Sequence, residues 1–134
     1  MTDALVIDAN VVIEWAANER RTEVGERTAA LVPDCRLHAP TIYWAEARNG
    51  ILNKHKLDAI DERLRDDALR FVDRLPVRLD DLRVSPTVLS MALEHGLTVY
   101  DAFYLELARR AVLPLATNDR ALRRAAEAER VPLV

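Results

Sequence analysis

A chain of 134 residues, half of them hydrophobic and 31% charged, has the make-up of one globular domain over residues 1–134 rather than of a disordered segment. Its net charge of -3 gives no global pull toward nucleic acid, its single cysteine excludes an internal disulfide, and no Cys/His spacing for zinc is present. No apolar run approaches the ~20 residues of a membrane span, and Met1-Thr2-Asp3 leads straight into the first apolar run, so a soluble cytoplasmic protein is expected.

In chain order, short apolar runs alternate with longer helix-period segments, the pattern of an α/β fold with a central, mainly parallel sheet. Ala4–Asp8 reads as a strand and Asn10–Ala17 as a short helix. Arg20–Val32 is a polar helix stopped by Pro33-Asp34, and Arg36–Ala39 is a weak second strand. Thr41–Lys56 and Ala59–Leu75 are helices, followed by a strand at Val77–Leu79. Pro86–His95 is a helix with Ser85 as its cap and Gly96 as its terminator. Asp101–Val112 is a helix, Pro114–Ala116 a strand, Asp119–Glu129 a helix and Val131–Val134 a last strand.

Four carboxylates stand out by position. Asp8 ends the first strand, at the sheet edge where open α/β folds bind ligands; capping the next helix, holding a metal and acting as a nucleophile are all open to it. Glu46 shares a helical stripe with Asn49 and Asn53 among apolar neighbours, and a solvated side chain is the plain alternative. Asp101 heads a stripe continuing through Leu105 and Ala108, where a charge is costly unless it caps, pairs or binds a metal. Asp119 closes the trio Thr117-Asn118-Asp119 after a short strand, of which capping explains one member but hardly all three.

Together the four ask for more than capping. At about 4 Å two carboxylates repel by about 4 kcal/mol at an effective dielectric near 20, so a fold that gathers them needs a cation. Oxygen donors without sulfur or imidazole suit Mg²⁺ or Mn²⁺.

Other residues carry less. His38, His55 and His95 lack partners in any catalytic motif and read as structural or surface groups. Trp15, Tyr43, Trp44, Phe103 and Tyr104 read as core or interface, and Cys35 as a small buried hydrophobe. Gly25, Gly50 and Gly96 are too dispersed for a phosphate loop. All but two of the 19 basic residues are arginine, which suits phosphate contacts but also decorates solvated helices.

The stretch LVIDANVV superficially matches the nucleophile loop of haloacid dehalogenase phosphatases. The second acidic position there is Asn10, and neither Lys54 nor Lys56 lies near a later strand, so the nucleophile reading fails. The ordered set Asp8-Ala9-Asn10, Glu46-x-x-Asn49, Tyr100-Asp101-Ala102 and Thr117-x-Asp119 instead resembles the PIN-domain ribonucleases, most closely the VapC-type toxins of bacterial toxin–antitoxin pairs. The resemblance runs from Leu5 through Leu122. It implies a three-layer α/β/α fold in which Asp8, Glu46, Asp101 and Asp119 hold one or two Mg²⁺ or Mn²⁺ ions, with Asn10, Asn49 and Thr117 as supporting polar groups. It further implies hydrolysis of single-stranded or looped RNA, a homodimer and a cognate VapB-like antitoxin. Tyr43, Trp44 and Ile51 are candidates for a partner contact, and Arg20, Arg48 and Arg120, by proximity in sequence, for the phosphate grip. A housekeeping PIN nuclease and a catalytically silent PIN binding module are the alternatives.

Overall fold

The computed structural model describes residues 3–81 and 85–134. Its centre is β1 (Ala4–Ile7), whose four residues are all buried, as an unbroken apolar run in a strand covered on both faces should be. β2 (Arg36–Pro40), β3 (Val77–Asp80) and β4 (Leu115–Ala116) complete a sheet of order β3-β2-β1-β4. Every pairing is parallel, with Leu5 opposite Leu37 and Ile7 opposite Ala116. The chain moves outward from β1 to β3 and then returns past β1 to β4. The carboxyl ends of β1 and β4 therefore flank the point where the connections diverge, which is where a parallel sheet leaves a crevice.

Helices α1 (Ala9–Ala16), α2 (Glu23–Leu31), α3 (Tyr43–Lys56), α4 (Glu62–Arg74), α5 (Pro86–His95), α6 (Val99–Ala111) and α7 (Arg120–Ala128) flank the sheet. α1, α3 and α4 pack on one another, while α6 lies against β1 and β2 and joins α5 and α7. This is the expected α/β/α layering. Leu5, Val6, Ile7, Val11, Val12, Tyr104, Leu105, Leu115 and Leu122 are fully buried in a continuous core. Among the described residues no helix is long and apolar enough to cross a membrane.

Caps move several helix starts from where periodicity alone sets them. The expected Arg20–Val32 helix begins at Glu23, because the Thr22 hydroxyl accepts from Gly25 N at 3.0 Å; a 3-10 turn at Val32–Asp34 follows it. The Ala59–Leu75 helix begins at Glu62, where Asp61 accepts from Leu64 N at 2.8 Å. Gly96 closes α5 at φ 64°, a left-handed turn that glycine adopts without penalty, whereas the Ser85 side chain makes no cap bond.

Val131–Val134 does not form a strand: Leu133 makes only an isolated parallel bridge to Leu115. Leu115 N donates to Pro132 O at 2.8 Å and Val134 N to Leu115 O at 3.1 Å. Pro132 has no N–H to extend a ladder, so the pairing stops there.

Candidate acidic site

The connections leaving β1 and β4 meet at two residues distant in sequence. Thr117 Oγ1 donates to Asp8 Oδ2 at 2.6 Å, and Asp119 N donates to Thr117 Oγ1 at 3.1 Å. Asp8 occupies the cap position of α1, yet its side chain makes no cap hydrogen bond. Its carboxyl group is turned instead into the crevice, 5% exposed, beside a fully buried Thr117.

Asp101 is likewise free of capping. α6 begins two residues earlier than expected, at Val99, and the Thr98 hydroxyl caps it by accepting from Asp101 N at 3.1 Å. Asp119 differs: its Oδ1 accepts from Leu122 N at 2.8 Å and caps α7. Glu46, in the first turn of α3, is reached by the opposite layer, since Tyr104 Oη of α6 donates to Glu46 Oε1 at 2.8 Å.

The four carboxyl groups act on one another. Burial first, and then the charges of Asp101 and Glu46, push Asp8 up to about 7 against the relief of the Thr117 bond. Glu46 is raised by burial and by Asp101. Asp101 is raised by burial and by Asp119. Tyr104 is held protonated by burial and by the neighbouring Asp8 and Glu46, which fixes it as a donor.

This donor set fits a hard divalent cation in its chemistry: carboxylate oxygens alone, near enough for their charges to act on one another, with charge that a cation would neutralise. No three of the quartet's residues place oxygens within 4.8 Å of one another; the one such His/Cys/Asp/Glu set among the described residues is Glu94, His95 and Glu129. Oxygens bound to a single Mg²⁺ at about 2.1 Å lie at most about 4.2 Å apart, so the quartet suits an ion held by one or two carboxylates with waters bridging to the others. The Glu94 set lies at the far ends of α5 and α7 and already has its cation. His95 Nε2 is 2.9 Å from Glu129 Oε1, and Arg109 Nη1 is 3.2 Å from Glu129 Oε2.

Of the supporting residues, Asn10 is placed at the site, its Oδ1 accepting from Asn118 N at 3.4 Å. Asn49 is exposed on α3, and no hydrogen bond ties it to the quartet among the described residues. Arg48 is turned away from the site: it pairs with Asp73 at 2.8 Å, and its guanidinium carbon lies 4.0 Å from the centroid of the Trp44 ring. Arg20 and Arg120 are exposed. Of the trio expected at a partner surface, Tyr43 and Ile51 are buried and only Trp44, at 55% exposure, faces outward. The i, i+4 stack with Arg48 holds Trp44 on that surface.

Three neighbours of the site were not singled out by sequence. Tyr104 reads as core, and its hydroxyl is visible only once α3 and α6 are juxtaposed. Arg123 Nη1 donates to Thr117 O at 2.9 Å, and its signal is the one-turn spacing from Asp119. Glu14, buried in α1, receives Asn118 Nδ2 at 3.4 Å.

Comparison with known proteins agrees with this fold. The PIN domain family matches residues 5–128. A ribonuclease VapC3 of Pyrobaculum aerophilum is 31% identical over 124 residues, covering 88% of this chain and 91% of the relative. A ribonuclease VapC1 of Mycobacterium tuberculosis is 29% identical over 123 residues, covering 90% and 89%. The crystal structure of PAE2754 from Pyrobaculum aerophilum shares the fold with a TM-score of 0.58 and 23% identity, over 92% of this chain and 84% of that one. A carboxylate quartet at the switch point of a parallel sheet, in a sequence matched almost end to end, places this chain in the PIN-domain family, among its VapC-type members.

Proposed function

We propose that this chain is a metal-dependent endoribonuclease that cuts single-stranded or looped RNA. The observation that carries the reading is the buried Asp8 at the end of β1, which makes no cap hydrogen bond and accepts instead from Thr117, with the charges of Asp101 and Glu46 acting on it. A fold that gathers such groups at a crevice bears a cost that a bound cation offsets. The names of the VapC ribonuclease relatives support RNA as the substrate class.

Asp8, Glu46, Asp101 and Asp119 would hold one or two Mg²⁺ or Mn²⁺ ions. When bound, the metal lowers the pKa of water and stabilises charge on a phosphodiester. Thr117 fixes one oxygen of Asp8, and Tyr104 fixes one oxygen of Glu46. Asp119 uses Oδ1 to cap α7, which orients the carboxyl group while leaving Oδ2 to the site. Either Asp101 or Asp119 is the carboxylate that accepts the proton of the attacking water. In the hydrolysis the water oxygen bonds to phosphorus, one bridging P–O bond breaks, and the leaving oxygen takes up a proton. Asn10 takes a supporting polar role, which its contact with Asn118 N supports, and the exposed Arg20 and Arg120 are the candidates left for phosphate contacts.

The cellular context we propose is that of a cytoplasmic, homodimeric toxin neutralised by a VapB-like antitoxin, and the VapC names of the relatives support the toxin role. The site draws together residues from 8 to 119, which supports one domain over residues 1–134. The test is cleavage of total cellular RNA by antitoxin-free protein with Mn²⁺ or Mg²⁺, beside EDTA and Asp101→Asn controls. Discrete cuts lost in both controls are expected. Cuts that survive both overturn the proposal, and absence of both cleavage and Mn²⁺ binding favours the silent-module reading.

A further inference from the structure

Glu14 is a buried carboxyl group, 6% exposed, on a helix that otherwise turns apolar residues inward. Its Oε1 accepts from Thr22 N at 3.1 Å and from Asn118 Nδ2 at 3.4 Å. Its Oε2 is buried with no hydrogen-bond partner and lies against Gly25, where a Cβ would come within 1.7 Å of it. Glycine inside a helix such as α2 costs about 1 kcal/mol relative to alanine. Burying a half-satisfied carboxyl group costs more, and an apolar side chain would hold α1 to α2 better. Packing therefore does not account for Glu14.

What Glu14 reaches does. Asn118 stands between Thr117, bonded to Asp8, and Asp119, the fourth member of the quartet. Three contacts hold it: its backbone N–H donates to Asn10 Oδ1 at 3.4 Å, its Nδ2 donates to Glu14 Oε1, and its Oδ1 accepts from Thr22 Oγ1 at 2.9 Å. Two of these end on Glu14 or on the residue whose backbone N–H Glu14 binds. The contact through which Glu14 reaches the site is therefore the one to Asn118.

We propose that Glu14 is a positioning residue: it locks Asn118 and the start of α2 into one frame, and so sets the bend that seats Thr117 on Asp8 and aims Asp119. The proposal rests on reading the quartet as a metal-binding nuclease site. Residues one step removed from metal ligands typically change metal affinity or activity by about 10–100-fold when altered.

The experiment measures Mn²⁺ affinity by the free-ion electron paramagnetic resonance signal, together with kcat and KM on a cleaved RNA, for Glu14→Leu, Glu14→Gln and Asn118→Ala. Glu14→Leu fills the space but accepts no hydrogen bond; it is expected to weaken Mn²⁺ binding and lower kcat about 10-fold each, with KM unchanged. Glu14→Gln keeps the acceptor and is expected within about 3-fold of the parent. Asn118→Ala cuts the same contact from the other side, so the proposal stays testable if Glu14→Leu fails to fold. The Glu14→Leu/Asn118→Ala double variant should lose no more than either single one. Parental Mn²⁺ affinity and kcat in Asn118→Ala, or in a folded Glu14→Leu, overturn the positioning role. Failure of the parent itself to bind Mn²⁺ and cut RNA overturns instead the reading on which it rests.

Discussion

Thr117 and Asp8, 109 residues apart, are joined by a 2.6 Å hydrogen bond in which the threonine hydroxyl donates and the carboxyl oxygen accepts. Because the same hydroxyl oxygen accepts from Asp119 N, a single buried side chain sets two members of the quartet. Thr117→Val keeps the shape but removes both functions, so it should cost about 1–3 kcal/mol of stability. Thr117→Ser should recover most of that. Urea unfolding of the metal-free protein decides it, and equal midpoints for Val and the parent would remove the bond from the account.

Asp8 gives a pH dependence of definite sign. Folding raises its pKa from 3.8 to about 7, so the folded protein holds a proton there that the unfolded chain releases. The associated stability is complete below the unfolded value and is lost as pH rises through about 7. The metal-free denaturation midpoint should therefore fall between about pH 5 and about pH 8 by an amount that Asp8→Asn abolishes. Stabilisation by Mn²⁺ should grow over the same range, because the ion competes with that proton. A Mn²⁺-induced rise in Tm that is flat with pH would contradict both halves.

Asp101 stands against a like charge on each side, Glu46 and Asp119. Asp101→Asn removes that repulsion, and the metal-free variant should be more stable by about 0.5–2 kcal/mol while losing Mn²⁺ binding and RNA cleavage. A destabilised variant would show that Asp101 is held by contacts that outweigh its repulsion.

Tyr104 is buried to the last atom, and its hydroxyl meets Glu46 from the opposite layer. Tyr104→Phe should cost about 1 kcal/mol and lower cleavage about 10-fold, with RNA affinity unaffected. Full cleavage by a folded Tyr104→Phe protein would mean that Glu46 needs no tether.

The four strands of the sheet and the positions of the quartet in the chain were legible because each announces itself locally, whereas the fifth strand expected at Val131–Val134 is only a bridge. β1 is an unbroken buried run ending at Asp8, and Thr117-Asn118-Asp119 is more polar than one cap requires. Helix starts were less legible: Thr22 and Asp61 each stop a periodicity that continues upstream of them, while Thr98 starts α6 two residues before the expected Asp101. For Asp101 the sequence left capping and metal binding open, and Thr98 takes the first role. Tyr104 was legible as core, but its bond to Glu46 and that of Glu14 to Asn118 were not, since the partners lie 58 and 104 residues away and only packing brings them into reach. Arg48 misled for the same reason: proximity to Glu46 in sequence placed it at the site, while helical geometry turned it toward Asp73.

β4 is a two-residue outer strand, and Leu115 has both backbone groups satisfied by Pro132 and Val134. The residues following α7 thus work as a selvedge, finishing an edge that would otherwise be open to any strand that met it. A variant trimmed after Glu129 would present Leu115 bare, two residues from the buried Thr117. Self-association of that variant through β4 would then disturb Asp8 from outside the family match at residues 5–128, with every residue of the acidic site intact.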